Sequence, residues 1–161
     1  FGMNVFNSRT LSFMKDHGFA AATVSFELRH QQVRDLKKYI PCEAIVYGRL
    51  PLMVTENCPT GNAGNCRGDK RLCEGENYLA DRTGAKFPFM GQYGCRSEIE
   101  NSLPVFLADK DEWKRCGLRW ARLRFTTESP EACVALLREY RKDKPAFHGE
   151  FTRGLFYRGV E

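Results

Sequence analysis

The feature that most constrains this chain is a stretch, residues 55–77, that cannot build a hydrophobic core of its own. Apart from three cysteines, its only apolar side chains are Ala63 and Leu72, among many glycine, asparagine and charged residues. A segment of this composition buries too little apolar surface to offset the conformational entropy that folding removes. The stretch is therefore either a floppy loop or a segment that something other than a core holds in place.

Cysteines supply a candidate for what holds it. Cys58, Cys66 and Cys73 lie in the stretch, and Cys95 follows it in a predicted hairpin region. Four thiolates can close a tetrahedral zinc site or hold a 4Fe-4S cluster. The spacing lacks the close CxxC pairs typical of zinc ribbons, which favours an iron–sulfur cluster over zinc. The alternative is a set of incidental thiols in a mobile loop.

The remaining cysteines, Cys42, Cys116 and Cys133, fall in segments that have ordinary periodicity, and we expect them to act as small buried apolar residues. The total of seven is odd, and the chain does not open on a secretory leader. These features favour a reducing, cytoplasmic setting over a disulfide framework.

Outside the cysteine-rich stretch, strand-like and helix-like segments alternate. Ser129 and Pro130 have the residue types of an N-cap and a first helical position, and Asn7 precedes another helix that ends before Gly18. Alternation of this kind predicts an α/β fold around a parallel sheet. We predict strands at residues 3–6, 21–26, 44–47 and 118–125, helices at 8–17, 31–39 and 130–140, and a hairpin of 78–81 with 86–90.

Composition is that of one ordinary globular domain. The chain has 161 residues, of which 42% are hydrophobic and 28% are charged, which argues against a disordered chain. Its longest apolar stretch, residues 45–54, is interrupted by Gly48, Arg49 and Pro51, so no membrane partner is expected. The net charge of +5 permits RNA or a small anionic substrate as a partner.

The predicted strand at residues 118–125 places Trp120, Arg122 and Arg124 on one face and apolar side chains on the other. Arginines on an open face could bind phosphate or carboxylate groups through two parallel hydrogen bonds. The alternative is that Arg122 and Arg124 form ion pairs with acids such as Glu128 or Asp109.

Several stretches, in order along nearly the whole chain, resemble one known family. The run YGRLPLMVTENCP at residues 47–59 is similar to the collagenase-like family of peptidases that is numbered thirty-two among those of unassigned catalytic type. Further similarity lies in residues 2–8, 24–28, 79–84, 87–88, 95–102 and 152–161.

This resemblance implies the fold and the cofactor. Members have a (β/α)-barrel domain, and this chain is similar to the C-terminal half of it, as a single domain over residues 1–161 with a cysteine-rich insertion at 55–101. The resemblance makes Cys58, Cys66, Cys73 and Cys95 the ligands of a 4Fe-4S cluster. A half-barrel leaves open sheet edges, so we expect as partners the missing N-terminal half or a second copy of the chain.

The resemblance also raises three candidate catalytic residues. Glu27 and Glu56 each follow a strand-like run, and Arg49 lies in the tail of the third strand. In a (β/α) barrel the carboxyl ends of the strands face the active site. For Glu27 an equally good explanation is a negative charge at the start of the next helix.

Two activities follow from the resemblance. The first is hydroxylation of an RNA base, or a related modification, without molecular oxygen. The second is peptide hydrolysis with a structural metal on the cysteines, but the three histidines lie in no protease motif. A further possibility, which involves no activity, is that the chain is a non-catalytic binding fragment.

Overall fold

The computed structural model describes residues 1–64, 73, 75–91 and 93–158, with only the backbone of residue 93. It has an α/β architecture in two compact units. One unit comprises Phe1–Gly48 with Val105–Glu161, and the other, the inserted unit, comprises Arg49–Pro104. The predicted cysteine-rich insertion at residues 55–101 falls within the inserted unit.

In the first unit, helices and short parallel strands follow one another. Its helices are α1 (Ser8–Asp16), α2 (His30–Asp35) and α4 (Pro130–Glu139), and its strands are β1 (Ala22–Thr23), β2 (Cys42–Gly48), β7 (Val105–Phe106) and β8 (Trp120–Leu123).

Strand β2 is central in this sheet. It pairs in parallel with β1 and β8, antiparallel with β7, and a further parallel bridge joins Val5 to Val24. Among the described residues no sheet closes on itself. The mixed α/β class is therefore confirmed.

Local sequence signals account for the helix ends. The side chain of Asn7 accepts a hydrogen bond from the backbone N–H of Thr10 at the start of α1, and Ser129 does the same for Ala132 at the start of α4. Gly18 follows α1 with φ +76°, the left-handed conformation that glycine adopts without cost. Helix α2 ends four residues earlier than predicted, because Leu36 has an extended ψ of 129°.

The core of the first unit is aromatic. Tyr47 and Phe106 are fully buried, and Tyr140, Phe147 and Phe151 pack around them. The hydroxyl of Tyr140 donates to the Val46 carbonyl at 2.6 Å, which satisfies the one polar atom that this ring brings into the core.

The buried cysteines behave largely as predicted. Cys42 and Cys116 are 1% and 2% exposed, and burial raises the pKa of each thiol. Cys133 differs, because it lies on a half-buried position of α4.

The inserted unit contains the strands β3 (Pro51–Thr55), β4 (Tyr78–Ala80), β5 (Lys86–Gly91) and β6 (Ser97–Glu100) and the short helix α3 (Pro59–Gly64). The strand order is β3-β6-β5-β4 and every pairing is antiparallel. The predicted hairpin is confirmed as β4 and β5, with Gly84 at φ +85° in its turn. No helix within the described ranges is long and apolar enough to cross a bilayer.

An ion pair fixes the C-terminal segment of the first unit. The guanidinium of Arg153 donates to both carboxylate oxygens of Asp109, at 2.5 and 2.7 Å, and also to the Phe106 carbonyl. The hydrogen bonds from Arg153 hold the pKa of Asp109 below its ordinary value of 3.8. Because the pKa of Asp109 is lower in the folded protein than in the unfolded chain, its negative charge stabilises the fold at pH values above the unfolded pKa. This stabilisation is lost as the pH falls through the folded pKa.

We therefore expect Asp109→Asn to lower the free energy of unfolding by about 1 kcal/mol at neutral pH and by less as pH falls below 4. Asp111→Asn is the matched control, because its carboxylate pairs with Lys114 on the exposed surface. Urea denaturation at several pH values measures both. An Asp109→Asn loss that is equal at pH 7 and pH 3 would contradict this account of the ion pair.

Candidate metal centre

Three of the four predicted cysteine ligands line one recess in the inserted unit. Cys58, Cys73 and Cys95 share its wall with a small set of polar and apolar neighbours: Thr60, Asn77, Phe89, Gly91, Arg96 and Ser97. The fourth predicted ligand, Cys66, lies outside the described residues. The recess therefore gathers every predicted ligand whose placement is described.

Each of these cysteines is held by a different element. Cys58 directly precedes α3, and the backbone N–H of Gly61 donates to its sulfur at 3.2 Å, in the manner of a helix N-cap. Cys73 packs against β5, where a Cβ added at Gly91 would lie 3.5 Å from the Cβ of Cys73. Cys95 ends a short 3-10 turn just before β6. The three cysteines that line the recess thus come from three separate segments.

The backbone at Cys95 is unusual. Its φ is +63°, and it follows Gly94 at +71°, so two successive residues adopt a left-handed conformation. For a residue other than glycine this conformation costs on the order of 1–3 kcal/mol and is concentrated at functional sites. The strain coincides with a side chain that lines the recess.

The spacing of the donors bears on what they can hold. Among the residues whose placement is described, no three His, Cys, Asp or Glu side chains are grouped closely enough to bind one metal ion. A 4Fe-4S cluster takes each cysteine on a different iron, so its thiolates approach from different sides and stand farther apart than the ligands of a single zinc ion.

A salt bridge lies at the recess. Arg96, which lines it, donates from Nη2 and Nε to one carboxylate oxygen of Glu56, at 2.8 and 3.2 Å. Both residues lie one position beyond the strand pair Thr55 and Ser97. Sequence analysis named Glu56 but missed Arg96, whose only sequence signal is its place next to Cys95.

The three candidate catalytic residues do not meet at one point. Arg49 and Glu56 lie at opposite ends of β3, roughly 20 Å apart at about 3.3 Å per residue. The guanidinium of Arg49 donates to the backbone carbonyls of Asn101 and Ser102, which ties the start of β3 to the end of β6. Glu27 is half-buried after β1 in the other unit, and its backbone N–H donates to Ser25 Oγ.

The candidate substrate-binding arginines differ from each other. Arg122 donates from Nε to Glu43 at 2.6 Å, and Thr23 donates to the same oxygen at 2.7 Å. Burial acts to raise the pKa of Glu43, but these hydrogen bonds outweigh it and lower the pKa. Arg124 instead places its guanidinium 5.1 Å from the ring centre of Phe1.

The acids that the sequence suggested as partners of these arginines also bind other groups. Glu128 accepts from the Tyr47 hydroxyl and from backbone N–H groups, and Asp109 binds Arg153. Arg122 does form an ion pair with an acid, as that alternative held, and the acid is Glu43. The parallel register of β2 and β8 explains the choice, because it places Arg122 opposite Ile45, two residues along β2 from Glu43.

Comparison with known proteins adds no identity. No protein-family model, no curated protein and no solved structure matches the chain. The resemblance drawn from its motifs therefore remains a hypothesis.

Proposed function

We propose that this chain is the C-terminal part of a collagenase-like family-thirty-two protein that holds a 4Fe-4S cluster and modifies RNA bases without molecular oxygen in the cytoplasm. Cys58, Cys66, Cys73 and Cys95 are the proposed ligands. The observation that carries the proposal is the single recess that three of these four cysteines line.

The fold of the first unit is compatible with part of a (β/α) barrel. Val5, β1, β2 and β8 are neighbours in the same order as in the chain, and all run parallel. Helices α1 and α2 connect the first three of them. Consecutive parallel strands joined by helices are the repeating unit of such a barrel. The N-terminal half of the same protein, or a second copy of the chain, would then complete the sheet.

The chemistry of the recess is compatible with an iron–sulfur cluster. The cysteines are the only His, Cys, Asp or Glu residues in its described lining, and thiolates are the usual ligands of such clusters. The N–H of Gly61 points at the Cys58 sulfur, and hydrogen bonds to sulfur help to set a cluster's potential. When bound, the cluster supplies one-electron transfer.

Substrate binding is proposed for the arginines of the first unit. Arg124 directly follows β8, at the carboxyl end of a parallel strand, where α/β sheets bind their ligands. Its guanidinium already lies near an aromatic ring, an arrangement that also suits stacking on a nucleobase. Arg122 can contribute only if the anion competes with Glu43. A small carboxylate substrate fits the same groups.

Anaerobic reconstitution with iron and sulfide tests the proposal. We expect a brown protein with about four irons per chain and a broad visible absorbance that bleaches with dithionite. Equal treatment with zinc should leave less than one tightly bound ion. A colourless protein that instead retains one zinc ion per chain would contradict the proposal and favour a structural metal site.

A further inference from the structure

The Glu56–Arg96 salt bridge continues the pairing of two strands into the loops that carry two of the cysteines. Thr55 ends β3 and pairs with Ser97, which begins β6, and Glu56 and Arg96 are the next residues beyond this pair. Cys58 lies two positions after Glu56, and Cys95 lies one position before Arg96. The salt bridge therefore joins the Cys58 loop directly to the Cys95 loop.

This salt bridge is too exposed to matter much for the stability of the fold. The side chain of Arg96 is 54% exposed and that of Glu56 is 80% exposed. Ion pairs of this kind typically contribute little to folding, because water and salt screen them. Its position beside the thiols, rather than its strength, is what distinguishes it from an ordinary surface pair.

The local geometry of each cysteine is already fixed by other contacts. The Thr55 hydroxyl accepts from the Asn57 N–H at 3.1 Å, and the Gly61 N–H binds the Cys58 sulfur. On the other side, Gly94 and Cys95 hold the left-handed turn. The two loops are joined at their base by the Thr55–Ser97 strand pair and, one residue further on, by the Glu56–Arg96 salt bridge.

We propose that Glu56 and Arg96 are positioning residues that hold Cys58 and Cys95 at the separation that the cluster requires. The inference rests on the proposed function and assigns Glu56 a role other than catalysis. If the salt bridge itself is what matters, exchanging the two charges between positions 56 and 96 should preserve the effect. If only the positive charge at position 96 matters, the exchange should abolish it.

The first test measures how fast the reconstituted protein loses iron to a chelator under argon. Glu56→Gln and Arg96→Gln should each lose iron about two- to fivefold faster than the wild-type protein, the factor that corresponds to one exposed ion pair. The exchanged variant Glu56→Arg with Arg96→Glu should return to the wild-type rate. Asp111→Asn, which breaks a similarly exposed pair in the other unit, is the control and should change nothing.

The second test needs no cluster. In metal-free protein with Cys66, Cys73 and Cys133 replaced by serine, dibromobimane bridges Cys58 and Cys95, and monobromobimane measures the reactivity of the separate thiols. We expect both single variants to slow bridging, relative to single labelling, and the exchanged variant to restore it. This ratio removes any effect of Arg96 on thiol ionisation.

The two tests fail in different ways. If wild-type protein takes up no iron, the proposed function fails, and the bridging ratios alone decide whether the pair sets the cysteine separation. If iron is bound, unchanged iron loss in both single variants overturns the inference, whatever the bridging ratios are. An exchanged variant that loses iron as fast as the single variants overturns it as well, because charge rather than pairing would then be responsible.

Discussion

Gly48→Ala is expected to destabilise the first unit by about 4 kcal/mol or more, enough to consume a large part of the stability of an ordinary domain. Gly48 has φ +122°, and a Cβ there would lie 2.1 Å from the backbone oxygen of Arg124. The clash between the new Cβ and the Arg124 oxygen can be removed only if β2 moves away from the segment after β8, because both atoms are fixed to the backbone. The Arg124 N–H to Tyr47 carbonyl bond, at 2.9 Å, would be lost with that movement.

Gly18→Ala is the matched control for this substitution. Gly18 also has a positive φ, of +76°, but a Cβ there would meet nothing within 4 Å. Gly18→Ala should therefore lower the free energy of unfolding only by the cost of placing alanine in a left-handed conformation, about 1 kcal/mol. Thermal unfolding should separate the variants by roughly 10 °C. Equal melting temperatures would contradict the close approach of β2 to the segment after β8, and a Gly48→Ala protein that fails to fold would agree with it.

Sequence reasoning succeeded where the signal was local. The N-caps Asn7 and Ser129, the glycine after α1 and the turn at Gly84 depend on residues within a few positions of one another. The burial of Cys42 and Cys116 also followed from the periodicity of the segments around them.

The strands of the inserted unit were harder to predict. Strand β6 buries Ser97 and Glu100, which are 2% and 0% exposed, beside Ile99, so two of its three buried positions are polar and the apolar pattern is lost. Strand β3 shows the reverse, because its apolar residues Leu52, Met53 and Val54 are all more than half exposed. Neither strand alternates as a half-buried strand should, and only their pairing identifies them.

In the candidate site as well, the residues with a local sequence signal could be predicted and those that depend on strand pairing could not. The cysteines could be found because they stand out in a stretch without a core. The Glu56–Arg96 and Glu43–Arg122 pairs join residues 40 and 79 positions apart. Such partners depend on strand register, which a single sequence does not contain. For this reason Arg96 was missed, and Glu43 was not named as the acid that pairs with Arg122.

The central claim predicts which thiols are ligands. Replacing Cys58, Cys66, Cys73 or Cys95 by serine should remove most of the bound iron, because a hydroxyl is a poor substitute for a soft thiolate. The same change at Cys42, Cys116 or Cys133 should leave iron content unchanged and cost only packing, up to a few kcal/mol. Cys95→Gly should also lose the cluster, yet stabilise the metal-free protein by about 1 kcal/mol, because glycine relieves the left-handed strain.

The most direct measurement is iron and acid-labile sulfide per chain in all seven single cysteine-to-serine variants, each reconstituted under argon beside the wild-type protein. The proposed assignment predicts near-complete loss in the Cys58, Cys66, Cys73 and Cys95 variants and full occupancy in the Cys42, Cys116 and Cys133 variants. Full iron and sulfide in the Cys95→Ser protein, or their loss in a folded Cys133→Ser protein, would contradict it.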